Sequence, residues 1–291
     1  MKNTYLFIVL SVAAVLFFGC SDANDSSSAT GRLSVILTDA PFPSDLVAEA
    51  NVTIFKLDAR LKGESNEIDE AADEAASFEV LMENEITVNL LDLTNGISAQ
   101  LVNADVPVGS YDLIRVFVKG INVVLTDGTT YDLQVPSGSQ SGIKVFIKPN
   151  LVVSGGLSSD LLLDFDVSRS FIPKGGRHDI GGITGFNFKP VIKASNMTTA
   201  GTLAGVVTTT QEALAVGLEG VQVAIFAADT LNTTAFTDVT GGYTVMGLVA
   251  GSYDVEVELE GFESQSEEGI AISAGNKTIQ NFELIATEVL P

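Results

Sequence analysis

Apolar and polar residues alternate with a period of two along most of this chain, in short runs bounded by Gly, Asn, Asp and Pro. That is the pattern of strands that bury one face. Leu33, Val35 and Leu37 alternate with Ser34, Ile36 and Thr38, and the run stops at Thr38-Asp39-Ala40-Pro41, where proline has no N–H to give a ladder. Val52 to Lys62 predicts a second strand with Phe55, Leu57, Ala59 and Leu61 on a common side. Phe78 to Leu81 and Ile86 to Leu91 predict a hairpin through Glu83-Asn84. Thr94 to Asn103 predicts one short helix, capped by Thr94 or Asn95, with Ile97, Leu101 and Val102 turned inward. Gly109-Ser110-Tyr111 turns into a long strand, and Asp127-Gly128 between two apolar runs is a hairpin signal. Ile143 to Lys148, Leu161 to Val167 and Phe186 to Lys193 supply the last strands of a first domain spanning 31–194.

Residues 195–200 form a polar connector. Beyond it, Gly201 to Val207, Gly220 to Ala227, Ala235 to Asp238, Gly242 to Met246, Ser252 to Leu259, Ser266 to Ile272 and Ile279 to Leu284 are short, evenly spaced strands. Their spacing predicts a second, smaller sandwich over 201–286. The fold class read from the pattern is all-β: two antiparallel β-sandwich domains in tandem.

The first thirty residues break the alternation. After Lys2, Tyr5 to Phe18 is an uninterrupted apolar run, too short for the roughly 20 residues that cross a bilayer, and it ends at Leu16-Phe17-Phe18-Gly19-Cys20. This resembles the Leu-[Ala/Ser]-[Gly/Ala]-Cys signal of bacterial lipoproteins; Gly19 fits, while Phe17 stands where Leu is usual. The resemblance implies a signal peptide over 1–19, lipidation of Cys20, and a flexible polar tether over 20–30. Ser21, where an Asp would resemble the inner-membrane retention signal, points to an outer-membrane lipoprotein. Asp22 and Asp25 resemble the acidic tags that send some lipoproteins to the cell surface, so both the periplasmic face and the surface are open.

The formal charge is -22, from 37 acidic and 15 basic side chains, and loss of Lys2 makes the mature chain one unit more negative. Such a surface repels phosphate backbones, which excludes nucleic acid as a partner. Cys20 is the only cysteine, so no internal disulfide forms and stability comes from packing. Glu64, Glu67, Asp69, Glu70, Asp73 and Glu74 read as a solvated acidic loop, since no Asp-x-Asp-x-Asp-Gly arrangement bends the chain around calcium.

Candidate chemistry is sparse. His178, the only histidine, reads as an exposed loop residue, because a Ser-His-Asp site needs a serine at a strained elbow and no Gly-x-Ser-x-Gly occurs. One imidazole with a lipidated cysteine does not make a zinc site. Asp164 and Asp166, at i and i+2, lie on one face of a strand. They are the candidate calcium ligands, or an acid and base pair, with Asp160 and Asp39 as companions. The bland alternative is that they are outward-facing polar residues satisfying loop amides.

Gly31 to Pro41, Val88 to Gly96, Gly109-Ser110-Tyr111 with Arg115, Pro136 to Lys144, Asp164-Phe165-Asp166 and Lys189-Pro190-Val191-Ile192 together resemble the domain of unknown function 4382 family. That family implies an exported bacterial protein and brings no activity with it. Gly205-Val206-Val207, Gly241-Gly242-Tyr243, Gly251-Ser252-Tyr253-Asp254-Val255 and Gly261-Phe262 resemble the carboxypeptidase regulatory-like, transthyretin-like sandwich, which implies a non-catalytic accessory. Gly109-Ser110-Tyr111-Asp112 echoes Gly251-Ser252-Tyr253-Asp254, a turn-then-strand solution reached twice or the mark of a duplication. The expectation is a non-enzymatic envelope lipoprotein, membrane-bound through its lipid anchor, that serves adhesion or binds a glycan or an envelope protein without a cofactor. A calcium-dependent binding module is the first alternative, and an envelope hydrolase using the paired carboxylates is the second.

Overall fold

The computed structural model describes residues 30–40, 46–62, 77–135, 140–176 and 179–287. The first domain is built from β1 (Thr30–Ala40), β2 (Val47–Leu61), β3 (Phe78–Met82), β4 (Ile86–Asn89), β5 (Ala99–Pro107), β6 (Gly109–Leu125), β7 (Thr130–Leu133), β8 (Ile143–Val153), β9 (Ser158–Asp166), a one-turn helix α1 (Val167–Ser170), β10 (Phe171–Gly175), β11 (Ile183–Phe188) and β12 (Ile192–Asn196). A ten-stranded sheet runs β3-β2-β6-β8-β12-β9-β1-β5, with β4 also on β2 and β7 on β6. Its two halves face each other across a single core, in which Leu33, Val35 and Leu37 of β1 meet Ala50, Val52, Ile54 and Leu57 of β2. The β10–β11 ribbon adds Phe171 and Phe188, whose rings pack on Phe165 of β9. Most pairings are antiparallel, but β1 lies parallel to β9 and β12 parallel to β8.

Three local expectations are corrected. Residues 99–103 belong to strand β5, paired with β1, and the only helical turn nearby is a 3-10 turn at Leu90–Asp92 capped by Asn89. Leu101 and Val102 are buried as expected, but by the β1 ladder. Nor do β3 and β4 form a hairpin: both pair with β2, β3 along Leu57–Arg60 and β4 along Asn51–Ile54, so the segment is one edge strand interrupted at Glu83-Asn84. Phe55 does not share a side with Leu57 and Ala59. It is the extra residue of a β-bulge between Ile54 and Lys56, which shifts the burial phase and leaves Phe55 edge-on to Phe117.

The second domain is the expected sandwich. One sheet holds β13 (Ala200–Gln211), β14 (Leu214–Gly217), β17 (Gly242–Val249), β20 (Lys277–Ile279) and β21 (Phe282–Glu283). The other runs in the order β16 (Thr230–Phe236), β15 (Gln222–Ala227), β18 (Gly251–Glu258), β19 (Gln265–Ile272). Leu203, Val207, Val223, Ile225, Tyr243 and Val255 fill the space between them.

The two domains meet directly. A turn at Met197–Thr199 joins β12 to β13, pinned by Asn196 Oδ1, which accepts from Thr198 N at 3.0 Å and Thr198 Oγ1 at 2.6 Å. Leu162 of β9 is only 1% exposed yet lies outside the first domain's core. Gly247 of β17 covers it: a Cβ there would sit 2.7 Å from Leu162 Cδ2 and 3.0 Å from Ser195 Oγ.

Candidate functional site

Four motif stretches, distant in sequence, meet where the first domain faces the second. Thr38 Oγ1 donates to the carbonyls of Leu93 and Ile97 at 3.0 and 3.1 Å, and Asp39 N donates to Leu93 O at 3.0 Å. Asp39 Oδ1 accepts from Val167 N at 3.0 Å, and Asp166 N donates to Val191 O at 3.0 Å. Ser170 Oγ accepts from Val191 N at 2.9 Å. Each bond satisfies a backbone group that a strand end leaves open.

Asp164 and Asp166 sit on one side of β9, as their spacing requires, but their surroundings differ. Asp166 caps α1: Oδ1 accepts from Arg169 N at 2.9 Å and Ser168 Oγ at 2.7 Å, and Oδ2 accepts from Arg169 Nε at 2.6 Å. Both oxygens are thereby engaged within one turn. Asp164 has Thr38 beside it on β1 and Lys193 opposite on β12. It lines a cavity of about 20 Å³ with Thr38, Asp39 and Asn95 on one side and Thr233, Thr234 and Thr244 of the second domain on the other. That volume has room for one water molecule.

Burial pushes the Asp164 carboxyl up to about 6, against the pull of Lys193 and Arg169 and with a push from Asp166. Burial likewise lowers Lys193, while Asp164 draws it back up. Lys193 Nζ donates to the backbone carbonyl of Asn232, so this lysine also ties the two domains together. Asp160, four residues along β9, is exposed and about 13 Å away by strand rise. Asp39 thus borders the same cavity as Asp164, although its register partner is Phe165, and Asp160 stands apart. Among the described residues no group of three or more His, Cys, Asp and Glu side chains is arranged to hold a metal ion. Cys20, His178 and the acidic stretch from Glu64 to Glu74 lie outside the described residues.

A second cluster covers the outer face of β2 and β6. Arg115 Nε and Nη2 donate to Asp58 Oδ1 and Oδ2, each at 2.7 Å, and the guanidinium lies 3.5 Å from the ring centroid of Phe78. Asp58 is 2% exposed. A parallel pair, Arg60 with Asp112, is bidentate at 2.9 and 3.1 Å. Gly142, with φ +70°, closes over this cluster; a Cβ there would fall 3.1 Å from Arg115 Cβ and 3.2 Å from the Phe117 ring. Lys144 is the β8 register partner of Arg115. The family motifs containing Arg115 and Lys144 thus form one patch. Asp58 and Lys193 escaped the sequence reading, because in an alternating strand an outward polar residue is the expected background.

These features define a two-domain, all-β protein whose motif residues tie strand ends, sheet faces and the domain seam. The chain belongs to the family described as Domain of unknown function (DUF4382), whose model matches residues 30–190, and residues 202–285 match the Carboxypeptidase regulatory-like domain. No curated protein matches it. Among solved structures it is similar to a type II cohesin–X-dockerin complex from Acetivibrio cellulolyticus, at 16% identity over 30% of this chain and 58% of that one, with a TM-score of 0.25. The match therefore spans little more than half of that chain's length. It is also similar to the minor pilin GBS52 of Streptococcus agalactiae, at 12% identity over 90% of this chain and 99% of that one, TM-score 0.26. The shaft pilin SpaA of Lactobacillus rhamnosus GG is similar at 8% identity over 90% of this chain and 100% of that one, TM-score 0.27.

Proposed function

We propose that this protein is an acyl-anchored envelope lipoprotein, held at the outer membrane through Cys20, on its periplasmic face or at the cell surface. Its two β-domains act as a non-catalytic binding, adhesion or structural module directed at a glycan or an envelope protein. The observation that supports this most is the seam: Gly247 over Leu162, Lys193 bonded to Asn232, and a turn of three residues between the domains. Together they make one body in which surfaces of both domains are presented in a fixed relation, as a displayed binding arm requires. Buried acyl methylenes contribute about 0.8 kcal/mol each, so two or three chains on Cys20 hold such an arm at the membrane.

Mass spectrometry of the mature N-terminus tests the anchor; an unmodified Cys20, or a start elsewhere, overturns it. Glycan-array and envelope pull-down experiments with the full-length protein test the module, and binding to neither class removes it. A calcium-dependent form of the module is the second reading, favoured by the position of Asp164 beside an oxygen-lined cavity. It requires a rise in thermal stability with millimolar calcium that a chelator reverses and Asp164→Asn abolishes.

A further inference from the structure

One groove runs against the charge of the whole molecule. β8 turns Lys144, Phe146 and Lys148 outward at alternate positions, so the three share a face. Beside them lies Lys193 of β12, and across the seam the second domain contributes Asn232 and Tyr253 to a groove of about 420 Å³. Three of the 15 basic residues of the chain line it, and none of its 37 acidic residues does among the described lining. On a surface that elsewhere repels anions, a cleft lined by lysines between protein walls concentrates them.

Phe146 is 40% exposed, with Lys148 Nζ 5.9 Å from its ring centroid. A part-exposed aromatic ring with an ammonium poised over it provides both parts of a specific contact: a flat apolar platform and a counter-charge. The carbonyl of Asn232 already accepts from Lys193, which sets the lysine at the inner wall. The groove also falls within the roughly 300–1,000 Å³ typical of small-molecule sites.

We propose that this interdomain groove binds a carboxylate-bearing saccharide, the sugar ring lying on the exposed part of Phe146 and its carboxylate meeting Lys148. A bare phosphate would not use the ring, and an acidic peptide would not need it. The inference rests on the glycan-directed reading above and narrows it to one site and one ligand class.

The test is calorimetric titration of the full-length, detergent-solubilised protein with oligogalacturonate, its methyl ester, oligo-alginate and poly-glutamate. The acidic oligosaccharides bind, the ester binds at least about tenfold more weakly, and affinity falls as salt rises. Lys148→Glu and Phe146→Ala each weaken binding about tenfold, with thermal unfolding unchanged to show that the fold is intact. Equal affinity for acid and ester, indifference to both substitutions, or no binding of either acidic oligosaccharide overturns the assignment. Poly-glutamate bound as tightly, and unaffected by Phe146→Ala, overturns it in favour of a peptide site. A neutral glycan bound equally by wild type and both variants sinks the groove assignment alone, whereas the absence of any glycan or envelope partner sinks the general reading as well.

Discussion

The hydroxyls of Tyr111 and Tyr253 make the same bond in different domains: each donates at 2.8 Å to the carbonyl four residues upstream, that of Pro107 in one case and Val249 in the other. Both tyrosines lie in a Gly-Ser-Tyr-Asp sequence at the start of a strand, and each braces the turn that precedes it. Burial raises Tyr111 to about 12 and moves Tyr253 in the same direction. Around the brace the two sites diverge. Gly109 has φ +152°, whereas Gly251 is not in the positive-φ region; Asp112 pairs with Arg60, whereas Asp254 Oδ1 accepts from Gly269 N at 2.8 Å. What the domains share is a local solution to starting a strand.

Tyr111→Phe leaves the Pro107 carbonyl without its donor and lowers stability by about 1–3 kcal/mol. Tyr253→Phe costs less, because Val249 is 47% exposed whereas Pro107 is part-buried. Urea unfolding of the two variants measures the order; a larger loss for Tyr253→Phe contradicts it.

The Arg115–Asp58 pair is a conditional stabiliser. Arg115→Leu strands a carboxylate that is 2% exposed, a loss of about 3–5 kcal/mol, whereas the double variant Asp58→Leu/Arg115→Leu recovers much of it. Arg115→Lys does not rescue, since an ammonium gives neither the two parallel bonds nor the stack on Phe78. A double-mutant cycle in urea reads all three, and a double variant less stable than Arg115→Leu refutes the account.

Gly247 and Gly220 have nearly the same backbone angle, φ +77° and +74°, but only Gly247 meets neighbours within 4 Å. Gly220→Ala therefore costs only the left-handed backbone, about 1–2 kcal/mol. Gly247→Ala adds the collision with Leu162 and Ser195 and opens the seam. Limited proteolysis then cuts at Met197–Thr199 faster in Gly247→Ala than in Gly220→Ala. Equal rates would mean that the seam does not depend on this contact.

Asp164 makes stability fall as pH rises. Its carboxyl is raised from 3.8 to about 6 on folding, so the folded state favours the protonated form. The stabilisation is fully present below pH 3.8 and is lost as pH rises toward about 6. Asp164→Asn, a neutral isostere, matches wild type near the low end of that window and exceeds it at pH 7.5 by up to about 3 kcal/mol. Urea titrations at the two pH values give the comparison, and a variant less stable than wild type at pH 7.5 reverses the sign.

Period-two alternation carried the class of the fold, because which side chains a strand buries is a local property. Leu33, Val35 and Leu37 are buried as their spacing predicts, and the Asp127-Gly128 hairpin forms, with Gly128 at φ +86°. The two domains, their order and their families were legible in the same way, from turns and motifs. Tertiary structure decided what depends on partners far along the chain. The β1–β9 pairing joins segments with no mutual signal in sequence, and it is this pairing that sets Thr38 beside Asp164. The bulge at Phe55 is fixed by the β6 ladder, and residues 99–103 become strand because β1 offers them one. Ile143 to Lys148 was legible as a strand, but that Lys144, Phe146 and Lys148 are its outward stripe is a finding of the structure. Only the docking of the second domain, over Leu162, turned that stripe into one wall of a groove.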